Sequence, residues 1–300
     1  MSCLHTIQAF LDEGKTPRRV LFRPKPEWLV VWPSNIRTIQ LPCGKCYACL
    51  KSRAFDVTVR AVAESRMHDF ASFITLTVDD SNLSAVFPHG LCHRPWQLFA
   101  KRLRKEIGPF RFLMCGEYGS RTLRPHYHAI LFGPRFVDME YLDDGGYNPS
   151  ALLRRLWPYG NHSCSEANPT RIAYVAGYTV KDAPYGRDKR FWESRGLGLP
   201  YVKWSRRPSL GLTWLQRFWP DLCSGSSMKF ILNGREVNVG CRYFLEKLSL
   251  LAPDVFDRIS RERQYYLRLL DDEFSFQSHD DLSRKVQVQQ HQQKRKVTEL

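Results

Sequence analysis

The sequence lacks any segment that could anchor the protein in a membrane or direct its export. Its longest apolar runs, such as residues 28–32 and 129–132, are far shorter than the roughly 20 residues of a membrane-spanning helix. The N-terminus has no apolar core of a secretory signal peptide. We therefore expect a cytoplasmic protein with no membrane partner.

The sequence also lacks the patterns of a disulfide framework and of a nucleotide-hydrolysing domain. Nine cysteines are an odd number in a chain without an export signal, which favours a reducing compartment. The phosphate-binding pattern G-x-x-x-x-G-K-[ST] does not occur. We therefore expect no disulfides and no attached ATPase or helicase domain.

Negative charge is scarce. The 300 residues include 45 Lys and Arg but only 30 Asp and Glu, a formal net charge of +15, while 43% are hydrophobic and can form a core. Residues 94–125 and 181–217 each carry a net charge of +6 and flank the slightly acidic segment 126–180. This pattern favours a nucleic-acid partner, with solvated helix faces as the alternative. The candidate DNA contacts are Lys101, Arg102, Arg104, Lys105, Arg121, Arg124, Lys189, Arg190, Lys203, Arg206 and Arg207.

Hydrophobic periodicity predicts a mixture of strands and helices. Strands are expected at residues 72–78, 110–117 and 126–133, and helices at 51–70, 95–107, 150–156, 170–181, 212–219, 241–251 and 253–272. Prolines predict irregular structure in residues 1–50, and turn-forming residues predict a loop-rich insertion at 134–169. Residues 186–208 are expected to form a basic loop, and the Gln-rich tail from Ser283 is expected to be disordered.

A His–Tyr–His segment and an upstream glutamate form a candidate metal site. Alternation along the predicted strand places His126 and His128 on one face, and a hairpin turn can bring Glu117 beside them. Two imidazoles and one carboxylate suit Mg²⁺ or Mn²⁺ and leave positions open for a phosphate. The alternative is a pair of structural histidines, with Glu117 paired to an arginine such as Arg124.

The helix predicted at residues 170–181 carries Tyr174, Tyr178 and Lys181 on one face. A tyrosine phenol is a weak nucleophile until it is activated, and a lysine can offset the charge that develops. Gly177 costs this helix up to about 1 kcal/mol relative to Ala, so we expect a close approach of another group there. The alternative is an aromatic stripe that packs the helix onto a sheet.

Three cysteines near the N-terminus have metal-ligand spacing. Cys43, Cys46 and Cys49 are each separated by two residues, and Cys3 or His5 could supply a fourth ligand. Such a set would form a closed tetrahedral zinc site that ties the N-terminal arm to the domain. An iron–sulfur run would continue with a fourth Cys followed by Pro, which is absent here. Reduced structural thiols are the alternative.

Several segments in a fixed order resemble the HUH endonucleases. The details are similar to one branch, the rolling-circle replication initiation proteins of gokushoviruses, which are small single-stranded DNA bacteriophages of the Microviridae. The resemblance covers roughly residues 40–185 and does not extend over the C-terminal third. The matching segments are PCGKCYAC (42–49), FITLT (73–77), FAKRLRK (99–105), RPHYHAILFG (124–133) and YVAGYTVK (174–181).

The resemblance implies an α+β fold. A central antiparallel sheet of ferredoxin-like or RRM-like topology would be packed by helices and followed by a mostly helical C-terminal extension. The expected divisions of the chain are an N-terminal Cys-rich arm (1–50), an HUH endonuclease domain (51–210), a helical region (211–282) and a basic tail (283–300).

The resemblance also implies a reaction and its residues. By position, Glu117, His126 and His128 would bind Mg²⁺ or Mn²⁺, while Tyr174 and Tyr178 would act as nucleophiles with Lys181 as an auxiliary residue. The implied enzyme nicks one strand of the replicative-form origin, forms a 5′-phosphotyrosine link and later rejoins the strand to release a circle. Its partners would be single-stranded and origin double-stranded phage DNA, with a host helicase and polymerase in the bacterial cytoplasm.

Two other functions are compatible with the same sequence. The first is a plasmid relaxase or a transposase with the same core. The second is a non-catalytic, zinc-containing nucleic-acid-binding protein, in which the tyrosines belong to the core and the histidines are structural.

Overall fold

A computed structural model describes residues 3, 5–14, 19–29, 31–119, 122–136, 138, 150–181, 189–223, 228–238 and 240–274. Most of the predicted insertion and the whole of the predicted disordered tail lie outside these residues. The chain divides into two compact units, Met1–Arg53 and Ala54–Leu300.

The first unit contains a three-stranded antiparallel sheet. Its strands are β1 (Ile7–Asp12), β2 (Arg19–Leu21) and β3 (Ile36–Leu41), with β1 in the centre. The prediction of irregular structure for residues 1–50 is therefore wrong. Four of the prolines lie between or after the strands, where they limit strand length without interrupting a ladder. The buried apolar core of this unit is small and consists of Phe10, Trp28 and Ile36.

The second unit is built on a five-stranded sheet in which every neighbouring pair is antiparallel. The strand order is β7-β4-β6-β5-β8. The first four of these strands, numbered by their place in the chain, have the 4-1-3-2 order of a ferredoxin-like sheet. The strands are β4 (Ala71–Leu76), β5 (Arg111–Tyr118), β6 (Pro125–Phe132), β7 (His162–Glu166) and β8 (Tyr201–Trp204).

Helices cover both faces of this sheet. Residues of α3 and α4 form one buried cluster with Tyr127, Ala129 and Leu131 of β6, while residues of α1, α5, α7 and α8 form another with Ile130 and Phe132. The alternation of strand side chains thus separates two apolar layers. The helices are α1 (Tyr47–Ser65), α2 (Asp80–Val86), α3 (Arg94–Ile107), α4 (Ala151–Leu156), α5 (Pro169–Lys181), α6 (Lys189–Glu193), α7 (Leu212–Leu222), α8 (Arg242–Leu251) and α9 (Pro253–Phe274).

The C-terminal region is mostly helical and contains one hairpin, β9 (Lys229–Leu232) and β10 (Arg235–Asn238). The predicted α+β class, with an antiparallel sheet packed by helices and a helical C-terminal region, is confirmed. No helix in the described part of the chain is long and apolar enough to cross a lipid bilayer.

Candidate active site

Pairing between β5 and β6 brings the predicted metal ligands together. Glu117 lies directly opposite His126, and Cys115 lies opposite His128. Because alternate residues of a strand share a face, the Glu117, His126 and His128 side chains all lie on the face covered by α5. The hairpin inferred from the sequence therefore has the register that the site requires.

The three side chains converge on one carboxylate oxygen. Oε1 of Glu117 lies 2.7 Å from Nε2 of His126 and 3.0 Å from Nε2 of His128. One ligand atom from each residue lies within 4.8 Å of the other two. The Glu117 side chain is only 4% exposed. Arg124, the alternative partner for Glu117, instead pairs with Asp80 on α2.

The outer nitrogen of each imidazole has its own partner. Nδ1 of His126 lies 3.1 Å from the carbonyl oxygen of Arg124, and Nδ1 of His128 lies 2.8 Å from the hydroxyl oxygen of Thr75. A carbonyl can only accept, so Nδ1 of His126 carries a proton and a neutral ring directs its Nε2 lone pair at Glu117. Two acceptors at this separation need a cation between them, so the donor set fits a divalent metal.

The tyrosines of α5 cover this cluster. The ring centroid of His128 lies 5.4 Å from that of Tyr174 and 5.5 Å from that of Tyr178, and the two tyrosine rings are 4.8 Å apart. Tyr174 is 49% exposed, whereas Tyr178 is 6% exposed. Burial, and then the nearby Glu117 carboxylate, raise the pKa of Tyr178 far above its usual value. Lys181 ends the same helix, but its side chain lies outside the described part of the chain.

The candidate site lies within a segment shared with known proteins. Residues 71–183 match the model of a family described as replication-associated protein ORF2. Replication-associated protein VP4 of Bdellovibrio phage phiMH2K is 29% identical over 197 residues, which are 61% of this chain and 60% of that protein. Replication-associated protein ORF4 of Chlamydia phage 1 is 33% identical over 185 residues, 54% of this chain and 45% of that protein.

A third relative has the same kind of name. Replication-associated protein ORF2 of Spiroplasma virus 4 is 30% identical over 181 residues, which are 54% of this chain and 56% of that protein. The predicted resemblance to phage replication-associated proteins is confirmed. The chain spans about half the length of these curated relatives, and no solved structure matches it.

The resemblance to replication-associated proteins extends over every residue of the candidate site. The family match runs from β4 to the residues just after α5, so it includes both tyrosines and all three candidate ligands. The Cys-rich N-terminal unit and the C-terminal helices lie outside the family match.

Some of the predicted DNA contacts lie away from the site. The α3 helix packs on the opposite face of the sheet, so Lys101, Arg102, Arg104 and Lys105 do not adjoin the tyrosines. Nη2 of Arg102 donates to the carbonyl oxygen of Leu156 at 2.9 Å. The +6 block of residues 94–125 therefore does not form one wall around the candidate metal site.

The other candidate DNA contacts are distributed over several elements. Lys203 lies opposite Met114 in the β5–β8 ladder, and so on the α3 side of the sheet. Lys189 pairs with Glu193 within α6 at 3.1 Å. Arg190 also belongs to α6, Arg206 and Arg207 are exposed in the turn after β8, and Arg121 lies outside the described residues.

Three residues next to the site were not identified from the sequence. Phe73 stacks on His128 with centroids 5.6 Å apart, and Thr75 is the hydrogen-bond partner described above. The guanidinium carbon of Arg171 lies 6.0 Å from the Phe73 ring centroid. A signal for Arg171 was available, because it precedes Tyr174 by three residues and so shares its helix face.

Proposed function

We propose that the protein acts in phage DNA replication as a metal-dependent nickase that forms a covalent tyrosine–DNA link. The observation that carries this proposal is the convergence of Glu117, His126 and His128 beneath an exposed tyrosine, Tyr174. The names of the relatives support a role in replication, and the basic composition supports a nucleic-acid substrate. The proposed location is the cytoplasm of a bacterial host.

Glu117, His126 and His128 would hold a Mg²⁺ or Mn²⁺ ion. Such an ion, when bound, withdraws electron density from a phosphate oxygen and offsets charge in the transition state. Thr75 and the Arg124 carbonyl fix the two imidazole rings so that each Nε2 faces the ion. The oxygen ligand is supplied by a buried carboxylate that the same sheet keeps in place.

The nucleophile in the proposed reaction is Tyr174. Its phenolic oxygen forms a bond to phosphorus as the bond from phosphorus to the 3′ oxygen breaks, and the phenol proton passes to solvent. The products are a 5′-phosphotyrosine link and a strand with a free 3′-OH, from which a polymerase can extend. No bond energy is lost to water, because one phosphodiester replaces another.

We assign the two tyrosines to successive transfers. Tyr174 is half exposed and can meet a strand from solution, whereas Tyr178 is buried against His128 with a strongly raised phenol pKa. Tyr174 therefore makes the first cut, and Tyr178 attacks the regenerated origin in the second transfer. That second attack frees the displaced strand as a circle, while duplex unwinding is left to a host helicase.

Adduct formation on DNA tests this proposal. Wild-type protein is incubated with Mn²⁺ or Mg²⁺ and with single-stranded oligonucleotides that tile both strands of the encoding phage genome. We expect a protein–DNA adduct that survives denaturing electrophoresis, with no adduct after chelation or in the Glu117→Gln variant. A matched control, Tyr265→Phe on α9, should form the adduct normally because Tyr265 lies on a distant helix.

Two results would overturn the proposal. One is binding of single strands without any adduct, which is the outcome for a non-catalytic nucleic-acid-binding protein. The other is an undiminished adduct in the double variant Tyr174→Phe and Tyr178→Phe. A relaxase or transposase would instead form the adduct on strands other than the phage origin.

A further inference from the structure

The first unit carries a cluster of four thiols that the proposed nickase reaction does not use. It consists of Cys3, Cys43, Cys46 and Cys49, whose Sγ atoms all lie within 4.8 Å of one another. The Sγ atoms of Cys3 and Cys46 are 3.8 Å apart, and those of Cys43 and Cys49 are 4.0 Å apart. All four residues are partly buried.

These separations are those of ligands around one ion. A tetrahedral zinc ion with Zn–S bonds of about 2.3 Å places its sulfur atoms about 3.8 Å apart. A disulfide requires about 2.05 Å, so neither measured pair is bonded. Of the two residues considered as a fourth ligand, Cys3 is the one whose ligand atom joins the cluster.

The fold of the first unit explains how residues 40 positions apart meet. In the antiparallel ladder of β1 and β3, Ile7 pairs with Leu41. The chain just before β1 and the chain just after β3 therefore lie at the same end of the sheet, which brings Cys3 to Cys43. The backbone N–H of Cys43 points at Sγ of Cys3 at 3.2 Å.

The turn after Cys43 has the shape that a chelating pair requires. Gly44 has φ of +72°, a conformation that residues with a side chain rarely adopt, and it reverses the chain between Cys43 and Cys46. The N–H groups of Lys45 and Cys46 both point at Sγ of Cys43, at 3.5 and 3.3 Å. Donors arranged around a sulfur atom favour a thiolate, which is the metal-binding form.

We propose that these four cysteines bind one Zn²⁺ ion in a closed structural site. All four positions of the tetrahedron are taken by protein thiolates, so no position is open for substrate. The site joins the segment before β1, the turn after β3 and the first turn of α1. It also compensates for the small apolar core, because a unit of this size rarely folds stably without a metal or a disulfide.

Metal analysis of the full-length chain tests the zinc site. Protein purified without chelator or added metal should contain about one zinc per chain, and cobalt replacement should give thiolate-to-cobalt charge-transfer absorption. Cys46→Ser should lose most of the zinc. Cys92→Ser, which removes an exposed thiol outside the cluster, should retain it. Glu117→Gln should also retain it, which separates this ion from the one proposed for the nicking reaction.

If Cys46→Ser does not fold, an organomercurial titration of the wild type replaces it. We expect about one zinc to be released as four thiols react. The proposal is overturned by protein that contains no zinc, by iron with acid-labile sulfide, or by zinc that is lost in Glu117→Gln but kept in Cys46→Ser. A nickase that fails to form adducts while still holding zinc would contradict only the proposed function.

Discussion

At the scale of single residues, the site depends on partners that hold the imidazole rings. His128 is positioned by Thr75 through Nδ1 and by the flat contact of Phe73 on its ring. The sequence identified the ligands because His126 and His128 alternate on a strand. It did not identify Thr75, because the pairing of β4 with β6 is a long-range contact that no local pattern specifies.

Removal of the Thr75 hydroxyl tests this positioning. Thr75→Val keeps the shape of the side chain and its β propensity but removes the hydrogen bond to His128. We expect the affinity for Mn²⁺, measured by calorimetry, to fall about 10-fold or more. Thr77→Val, which removes a hydroxyl bonded to the Asn161 carbonyl, is the control and should bind Mn²⁺ normally. Equal affinities in both variants would contradict a role for Thr75.

At the scale of elements, the central strands and helices could be predicted and the edge strands could not. Strands β4, β5 and β6 are apolar, and the helix that carries the tyrosines has a clear periodic face. In contrast, β7 has the polar sequence HSCSE and only four residues form β8. Such short or polar strands exist because a neighbouring strand supplies hydrogen bonds, so their own sequences carry little signal.

Helix α5 contains a glycine whose position is open. A Cβ placed on Gly177 would have no heavy atom within 4 Å, apart from its chain neighbours and the backbone of its own helix. The expected close approach is therefore not made by the described residues. Gly177→Ala should raise the free energy of unfolding by about 0.5–1 kcal/mol, measured by urea denaturation. Ala173→Gly, at an exposed position of the same helix, should lower it similarly. A destabilised Gly177→Ala variant would contradict this account.

Helix α1 is linked to the sheet through one buried carboxylate. Glu64 accepts hydrogen bonds from Arg111 on β5 and from the N–H of Gly211 at 2.8 Å, just before α7. Burial alone raises the pKa of Glu64, but hydrogen bonds from His68, Arg111 and Gly211 outweigh it and lower the pKa from 4.5 to about 2. A depressed pKa stabilises the fold above pH 4.5, and this contribution is lost as the pH falls from 4.5 towards 2.

Neutralising this carboxylate tests the link. Glu64→Gln should lower the free energy of unfolding by about 2 kcal/mol at pH 7, because hydrogen bonds to a charged acceptor are lost. Urea denaturation should show the difference from wild type shrinking between pH 4.5 and pH 2. Glu193→Gln, which affects an exposed pair, is the control. A difference that does not change with pH would contradict the assignment.

At the scale of the whole molecule, the net charge of +15 is shared between the two sides of the sheet. The predicted picture of two basic blocks around the site assumes that neighbours in sequence are neighbours in space. That assumption fails for α3, because the crossover from β4 to β5 passes over the other face. Arg171 is the basic residue that the structure places beside the ring cluster of Phe73, His128 and Tyr174.

A pair of matched charge variants tests which side of the sheet holds the nicked strand. Arg171→Gln and Lys105→Gln each remove one positive charge, the first beside the site and the second on α3. We expect Arg171→Gln to reduce the initial rate of adduct formation more strongly, since a phosphate contact near the nucleophile positions the scissile bond. Initial rates at a fixed salt concentration are the readout. A larger loss in Lys105→Gln would show that the strand crosses the α3 face.

The central claim is that Tyr174 makes the first bond to DNA, and peptide mapping of the adduct measures this directly. Wild-type adduct is treated with nuclease and trypsin, and the peptide of residues 172–181, which contains both tyrosines, is fragmented in a mass spectrometer. We predict a 5′-linked nucleotide on Tyr174 after a single turnover, and no early adduct in Tyr174→Phe. A nucleotide found on Tyr178 alone, or on any residue outside this peptide, would contradict the account.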